Sequence, residues 1–532
     1  MVAENRVVIN RNFIIMDRRS IHSYIYFFGL CLLAMSIPTS RFMMSVSQII
    51  LGVNWLLEGG YPEKIRRFAS NKAAWFFTGI FFVHIIGLLW STDLEYGFLN
   101  DLKSKLPTLT LTFLVVSSKP LPLKKLFFLL WLFCITIFVT SIVGLIVYHT
   151  GDYLDPRKRM PFIPHVYFSM MVVFVIVLLP WLGHRFTRKK GILLVLYLAV
   201  IWLTYYLFLL SAMTGILCLA GVIAFLIIRG MVKWRSSLLK ALTVFSIVIV
   251  AAISIGIIIF MHKNVSMVIE VPSSTLQERT ALGNDYEHQF DMNMRENGHQ
   301  VFYFLAEDEL RKAWNERSTF DYDGSDRSGQ KLHATLFRYM ASLGLRKDRE
   351  GLEALGDADI LAIERGTPNY LYTQWPTSLV RIHQTVWEVY QYRQTGNPSG
   401  HTFTQRLELW RGSFVAFREK PVFGWGTGDI FIAVDYGLNK INSKMDNYHM
   451  KPHNQYLLFL LTLGVAGSLI IYVLYFLYAK ETKAFSHLPF NVFVVVMLVS
   501  MIGNNPIDAQ TGQTFFTFIT LAFGVLMHQK DG

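Results

Sequence analysis

Long apolar blocks separated by short cationic loops constrain this chain more than any other feature. Such a block, about 17–25 residues long, crosses the hydrocarbon core as a helix, since in lipid a helix satisfies all its own backbone polar groups. Windows of this kind fall near 21–38, 41–57, 73–90, 105–118, 125–149, 166–183, 191–210, 213–229, 238–261, 454–478, 487–503 and 511–528. The expected fold is an all-α polytopic membrane protein with about twelve transmembrane helices. The window 105–118 is the weakest, being short and holding Pro107.

Loop charge sets the orientation. Arg6, Arg11, Arg18 and Arg19 precede the first span, and no small-residue cleavage site follows it, so it reads as an anchor with a cytoplasmic N-terminus. Every second loop then carries cations: Lys64, Arg66, Arg67 and Lys72; Lys119, Lys124 and Lys125; Arg185, Arg188, Lys189 and Lys190; Arg229, Lys233 and Arg235; Lys480 and Lys483. By the positive-inside rule both termini are cytoplasmic. The outer loop "STDLEYGFLNDLKSK" is mildly acidic, in agreement. A second outer loop, 151–165, breaks the pattern with Arg157, Lys158 and Arg159. Either a short cationic loop is tolerated there, or these cations face an anion at the outer leaflet. The net charge of +13 is spent mainly on topology, which argues against a nucleic-acid surface. Cys31, Cys134 and Cys218 all fall inside spans, so neither a disulfide nor a thiolate metal site is expected.

The expected domains are 1–261 with nine spans, an outer helical loop domain over 262–452, and 453–532 with three more spans. Within the loop, 306–318, 331–344 and 378–394 repeat apolar residues at helical spacing. Trp314, Trp375 and Trp387 read as core rather than as sugar-stacking platforms. "DYDGSDRSG" (321–329) lacks the glutamate that an EF-hand requires and reads as a turn. In "GHTFTQRLELWRGSFVAFREKPVFGWGTGD" (400–429), Thr402 and Gln405 fit a capping box, predicting a helix from about 403 to 419 that ends before Pro421. Arg406 then lies near the positive end of that helix, where an anion binds well. Trp410 shares its face. Arg411 lies farther round, where a surface pair with Glu408 is the simpler reading, though it stays a candidate anion ligand. "GWGTGD" follows a helix and not a strand, so it reads as a tight turn whose amides approach a ligand or the membrane surface.

His453 follows Pro452, a residue favoured in a first helical turn. Its imidazole is expected near the positive end of the tenth span, which keeps it neutral and able to accept a proton near pH 7. A lone interfacial histidine is usually only an anchor. Here it stands in a larger pattern: His453, Asn454, nine residues, Gly464, two residues, Gly467.

That pattern resembles the O-antigen ligase family, whose shared region has an outer-face His followed by Asn, Ser or Gln, nine residues, then Gly-x-x-Gly. The resemblance covers about 400–470, and the helical loop is similar to that of Bacteroidota-type members. It implies a multi-pass protein of the bacterial inner membrane with a periplasmic loop. It further implies an inverting glycosyltransferase that needs no metal or other cofactor and moves a glycan from undecaprenyl diphosphate to an acceptor hydroxyl. Lipid A-core is the leading acceptor; a growing glycan or a protein is the alternative. By the same resemblance His453 acts on the acceptor and Arg406 holds the diphosphate, with Asn454, Gly464 and Gly467 in support. The family often has another arginine in an S-x-R-T-G-like stretch, whereas this chain reads "SAMTG" with Met213 there. Either Arg159 replaces that contact or activity is reduced or lost. Asp429 and Asp435 are carboxylates available to orient groups, with no spacing argument for either. A lipid-linked glycan flippase is the rival from another class; it would be expected to carry charges along a central cavity, whereas these spans read as nearly free of charge.

Overall fold

The computed structural model describes residues 18–151, 159–233 and 236–526, apart from 273, 275, 277 and 447, and places a helix in each of the twelve apolar windows. Arg6, Arg11, Arg157, Lys158 and Arg235 lie outside the described residues. The helices in the first nine windows are α1 (Arg18–Ser36), α2 (Arg41–Glu58), α3 (Lys72–Gly87), α4 (Lys103–Ser117), α5 (Leu123–Thr150), α6 (His165–Phe186), α7 (Lys190–Leu209), α8 (Met213–Lys233) and α9 (Ser237–Ser266), with the short helices Tyr61–Ala69 and Leu94–Tyr96 between them. Then come α10 (Thr377–Thr395), α11 (Thr402–Glu419) and α12 (Ile430–Lys440), and after them α13 (Gln455–Glu481), α14 (Leu488–Gly503) and α15 (Gln510–Leu521). Among the described residues, six helices are long and apolar enough to cross a membrane: Lys72–Trp90, Leu123–Thr150, His165–Phe186, Lys190–Leu209, Met213–Val232 and Gln455–Glu481. Other apolar helices, such as Leu488–Gly503, are shorter. The protein is thus a mainly helical membrane protein. Its one ladder among the described residues is the antiparallel pair Arg295–Glu296 and His299–Gln300.

Two cores divide the stretch between α9 and α13. Val301, Leu310, Trp314, Leu336, Met340 and Ile363 centre one of them, built on helices Glu307–Arg317 and Leu332–Ser342. Leu409, Ala416, Ala433, Val434 and Leu438 instead belong to the core of the apolar bundle. Helices α11 and α12 are therefore packed into the bundle end, and α10 bridges outward. Trp387 is buried under the Arg338 guanidinium, 4.2 Å from its ring centroid, which is a packing role. In the 321–329 turn, Asp326 accepts hydrogen bonds from Ser328 and Gln330 of the turn and from Thr335 in the helix beyond, so the turn is satisfied by the chain itself.

α13 is broken at Gly464, with φ 63° and ψ −170°. A break in a buried helix orphans backbone groups, and each must find a partner. The segment 421–426 supplies them. Trp425 and Gly426 donate N–H to the carbonyls of Leu461 and Thr462, and the N–H groups of Val465 and Ala466 donate to the carbonyls of Pro421 and Val422. The approach is so close that a Cβ on Gly464 would lie 2.2 Å from the Val422 oxygen, and one on Gly424 2.6 Å from the Gly464 nitrogen. The glycines of "GWGTGD" therefore bring backbone against backbone, and not against a ligand or lipid as the sequence suggested. The same loop is stitched to the end of α3, where Thr427 donates its N–H to the Gly87 carbonyl and its hydroxyl to the His84 carbonyl. Asp429 accepts from the N–H groups of Thr92 and Asp93, so its carboxylate is used in the fold.

Candidate functional site

The helix carrying Arg406 starts differently from the sequence expectation. Its N-cap is His401, and no side-chain cap from Thr402 forms. The Glu388 carboxylate of α10 accepts the Phe403 N–H at 2.9 Å, so a tertiary acceptor takes the role assigned to a local capping box. Arg406 lies in the second turn, half-buried, with Nη1 3.9 Å from where a Cβ on Gly503 would be. Among the described residues its guanidinium makes no hydrogen bond or ion pair, although a guanidinium offers five donors. Burial and the nearby Arg381 hold its pKa below the usual arginine value, with Glu388 opposing them.

His453 sits beside it. Trp410, one turn beyond Arg406, donates its indole N–H to the Pro452 carbonyl at 2.8 Å and so pins the turn that presents the imidazole. His453 itself has φ 50°, a left-handed conformation that non-glycine residues rarely adopt. Pro452 is not in the helix, as its identity had suggested. Asn454 is the N-cap, and its side-chain oxygen accepts the Leu457 N–H at 3.1 Å. That oxygen is committed to the helix end rather than to orienting the imidazole. The His453 pKa is lowered first by burial and then by the charges of Arg406 and Lys451. The outcome expected from the helix dipole thus has a different main cause. A neutral imidazole beside an unpaired guanidinium can accept a proton while an anion is held next to it.

The loop after α14 closes the site from below. Gln455 donates its N–H to the Asn504 carbonyl, and the Asn504 amide donates to the Thr214 hydroxyl at 2.6 Å, linking α13 to the residue next to Met213. Met213 is exposed at the start of α8. Gln455 is fully buried, and among the described residues both polar atoms of its side chain lack partners.

Sequence reasoning missed a buried ion cluster. Lys451 pairs with Asp508, which also faces Lys105 at 3.4 Å, and Lys105 meets Asp101 at 2.5 Å. The side chains of Asp101, Lys105 and Asp508 are all nearly inaccessible. Burial pushes the Asp508 carboxyl up, but Lys105 and Lys451 outweigh it and hold it below the usual carboxylate range. The signal was present in "DLKSK" as an i, i+4 acid–base pair, but it was absorbed into a loop charge tally. The bundle is therefore not free of buried charge, and this cluster lies next to His453 through Lys451.

The other candidates lie apart. Arg411 is exposed, and its nearest carboxylate is Glu408 at 3.8 Å. The Arg159 guanidinium stacks 4.2 Å over the Tyr148 ring and donates to the Leu209 carbonyl at the end of α7. It makes no hydrogen bond to Arg406 or His453 among the described residues, though its Nε is buried without a partner. Leu209 lies two residues before the "SAMTG" turn, so Arg159 is bonded to the chain four residues ahead of Met213. Asp435 accepts the N–H of His449 at 2.8 Å, and His449 stacks on Phe431. Gly467 packs toward Val83 on α3.

Residues 369–472 match the family model described as O-Antigen ligase. The match takes in Arg406, His453, Asn454 and both glycines of the broken helix. No curated protein matches the chain.

Proposed function

We propose that this protein is an inverting glycosyltransferase that moves a glycan from undecaprenyl diphosphate to a hydroxyl of lipid A-core at the outer face of a bacterial inner membrane. The reading includes twelve spans, with residues 262–452 in the periplasm. One observation carries it: a half-buried arginine, Arg406, that makes no hydrogen bond or ion pair among the described residues, near a neutral histidine held in a strained turn. The acceptor oxygen attacks the anomeric carbon as its proton passes to His453, and the bond from that carbon to the phosphate oxygen breaks. The electron pair leaves on the diphosphate, where the Arg406 fork takes up the growing charge. Attack opposite to the leaving group inverts the anomeric centre. No divalent ion is needed in this scheme, because guanidinium groups supply the positive charge.

The test is transfer in vitro from purified undecaprenyl-diphosphate glycan to lipid A-core with chelator present. Wild-type protein should transfer, His453→Ala should not, and Arg406→Lys should lose most activity because an ammonium lacks the planar fork. Full transfer by His453→Ala, or a strict divalent-metal requirement, would overturn the reading. Transfer to a glycan or protein acceptor instead would reassign the acceptor alone.

A further inference from the structure

The part of α13 beyond its break at Gly464 alone runs 17 residues, roughly 25 Å at 1.5 Å per residue, so its far end lies well away from His453. At that end a cavity of about 640 Å³ opens between the C-terminal turns of α13 and α4 and the turn that leads into α3. Arg67, Lys72 and Lys483 line it, against one carboxylate, Glu481. None of these four side chains forms an ion pair or hydrogen bond among the described residues. The Arg67 Nε is buried without a partner, which is costly for a guanidinium unless something occupies the space. The first turn of α3 lines the same cavity, and the positive end of a helix favours an anion. The carbonyl ends of α4 and α13 oppose an anion there, but three cations against one carboxylate outweigh them. Trp75, half-exposed on α3 next to the cavity, is a residue type that settles at a membrane–water boundary.

We propose that this cavity binds a phosphate group, carried by the headgroup of an anionic lipid in the leaflet at that end or free in solution. Such a ligand would bridge the cations of the turn before α3 and the turn after α13, which otherwise repel one another, beside the end of α4. The site is distinct from the transfer site and does not depend on how that site is read.

The test uses the full chain purified in neutral detergent and melted with phosphatidylglycerol, cardiolipin, phosphatidylcholine or inorganic phosphate. Anionic lipid should raise the melting temperature at concentrations where phosphatidylcholine does not. Arg67→Gln should weaken that effect about tenfold in lipid concentration, as expected for a charge-assisted contact. If Arg67→Gln is not recovered folded, Lys483→Gln provides the comparison. A shift with inorganic phosphate equal to that with lipid assigns the free ion as the source. No shift with either, or shifts unchanged in both variants, overturns the site.

Discussion

The Trp410 indole N–H donates to the Pro452 carbonyl at 2.8 Å, joining the helix that carries Arg406 to the turn that presents His453. The proposed base and the proposed anion-binding arginine are 47 residues apart in sequence, and this bond joins the elements that carry them. Trp410→Phe keeps the ring and removes the donor. A neutral hydrogen bond contributes about 0.5–1.5 kcal/mol, so the variant should fold and lose up to about tenfold in kcat. Initial rates with saturating donor check this; an unchanged kcat would show that the turn holds without the bond.

The pH profile follows from the charges around His453. Burial, Arg406 and Lys451 hold its pKa below the usual histidine value, so the neutral, proton-accepting form persists below pH 6.5. Activity should fall only as pH drops through that lowered value. Arg406→Gln removes one of the depressing charges, so its residual activity should decline at a higher pH than that of the wild type. The acid limb of kcat/KM for the two proteins gives the comparison, and a limb moving to lower pH would contradict it.

Much of this arrangement was legible because it rests on periodicity. The apolar windows gave the bundle helices, and residues 306–318, 331–344 and 378–394 fold close to where their helical spacing put them. Signals that depend on a distant partner were not legible. The Phe403 N–H is capped by Glu388 on another helix, so Thr402 looked like a cap that it is not. Asp101, Lys105, Lys451 and Asp508 are scattered over some 400 positions and meet only in the fold. His453 and Arg406 stand out in the sequence through the pattern around them, and the structure brings their two elements together. The unpartnered Gln455 amide carries no sequence mark, since only burial makes it unusual.

Gly464 tests the account of the broken helix. An added Cβ would sit 2.2 Å from the Val422 oxygen, on a residue already at φ 63°. Gly464→Ala must push the 421–426 segment away and so unpair up to four backbone hydrogen bonds, at about 1–3 kcal/mol for each buried group left unsatisfied. Little folded protein should be recovered, as judged by thermal melting in detergent. A normal melting temperature would mean that the loop is not seated as described.

Asp508 should be more sensitive than its distance from the chemistry suggests. It faces two cations, the buried Lys105 and the partly buried Lys451, and Asp508→Asn leaves the cluster with one carboxylate instead of two. Breaking a buried pair costs about 3–5 kcal/mol, so the variant should melt well below the wild type. Lys451→Met combined with Asp508→Asn removes a cation along with the carboxylate and should recover part of that loss. Equal melting of the single and double variants would show that the two groups are not coupled.

Asn454 separates a helix cap from a catalytic amide. Its side-chain oxygen accepts the Leu457 N–H, and its neighbour His453 takes the strained turn immediately before the helix starts. If the cap is what matters, any side chain that can accept that bond should serve, because the requirement is geometric and lies at the helix end. Asn454→Ser should therefore retain transfer close to wild type, while Asn454→Ala should lose about 1 kcal/mol of stability and part of its activity through a loosened His453. An amide acting directly on the substrate predicts a different order, with Ser as damaging as Ala at unchanged stability. Measuring melting temperature and kcat together on both variants distinguishes the two.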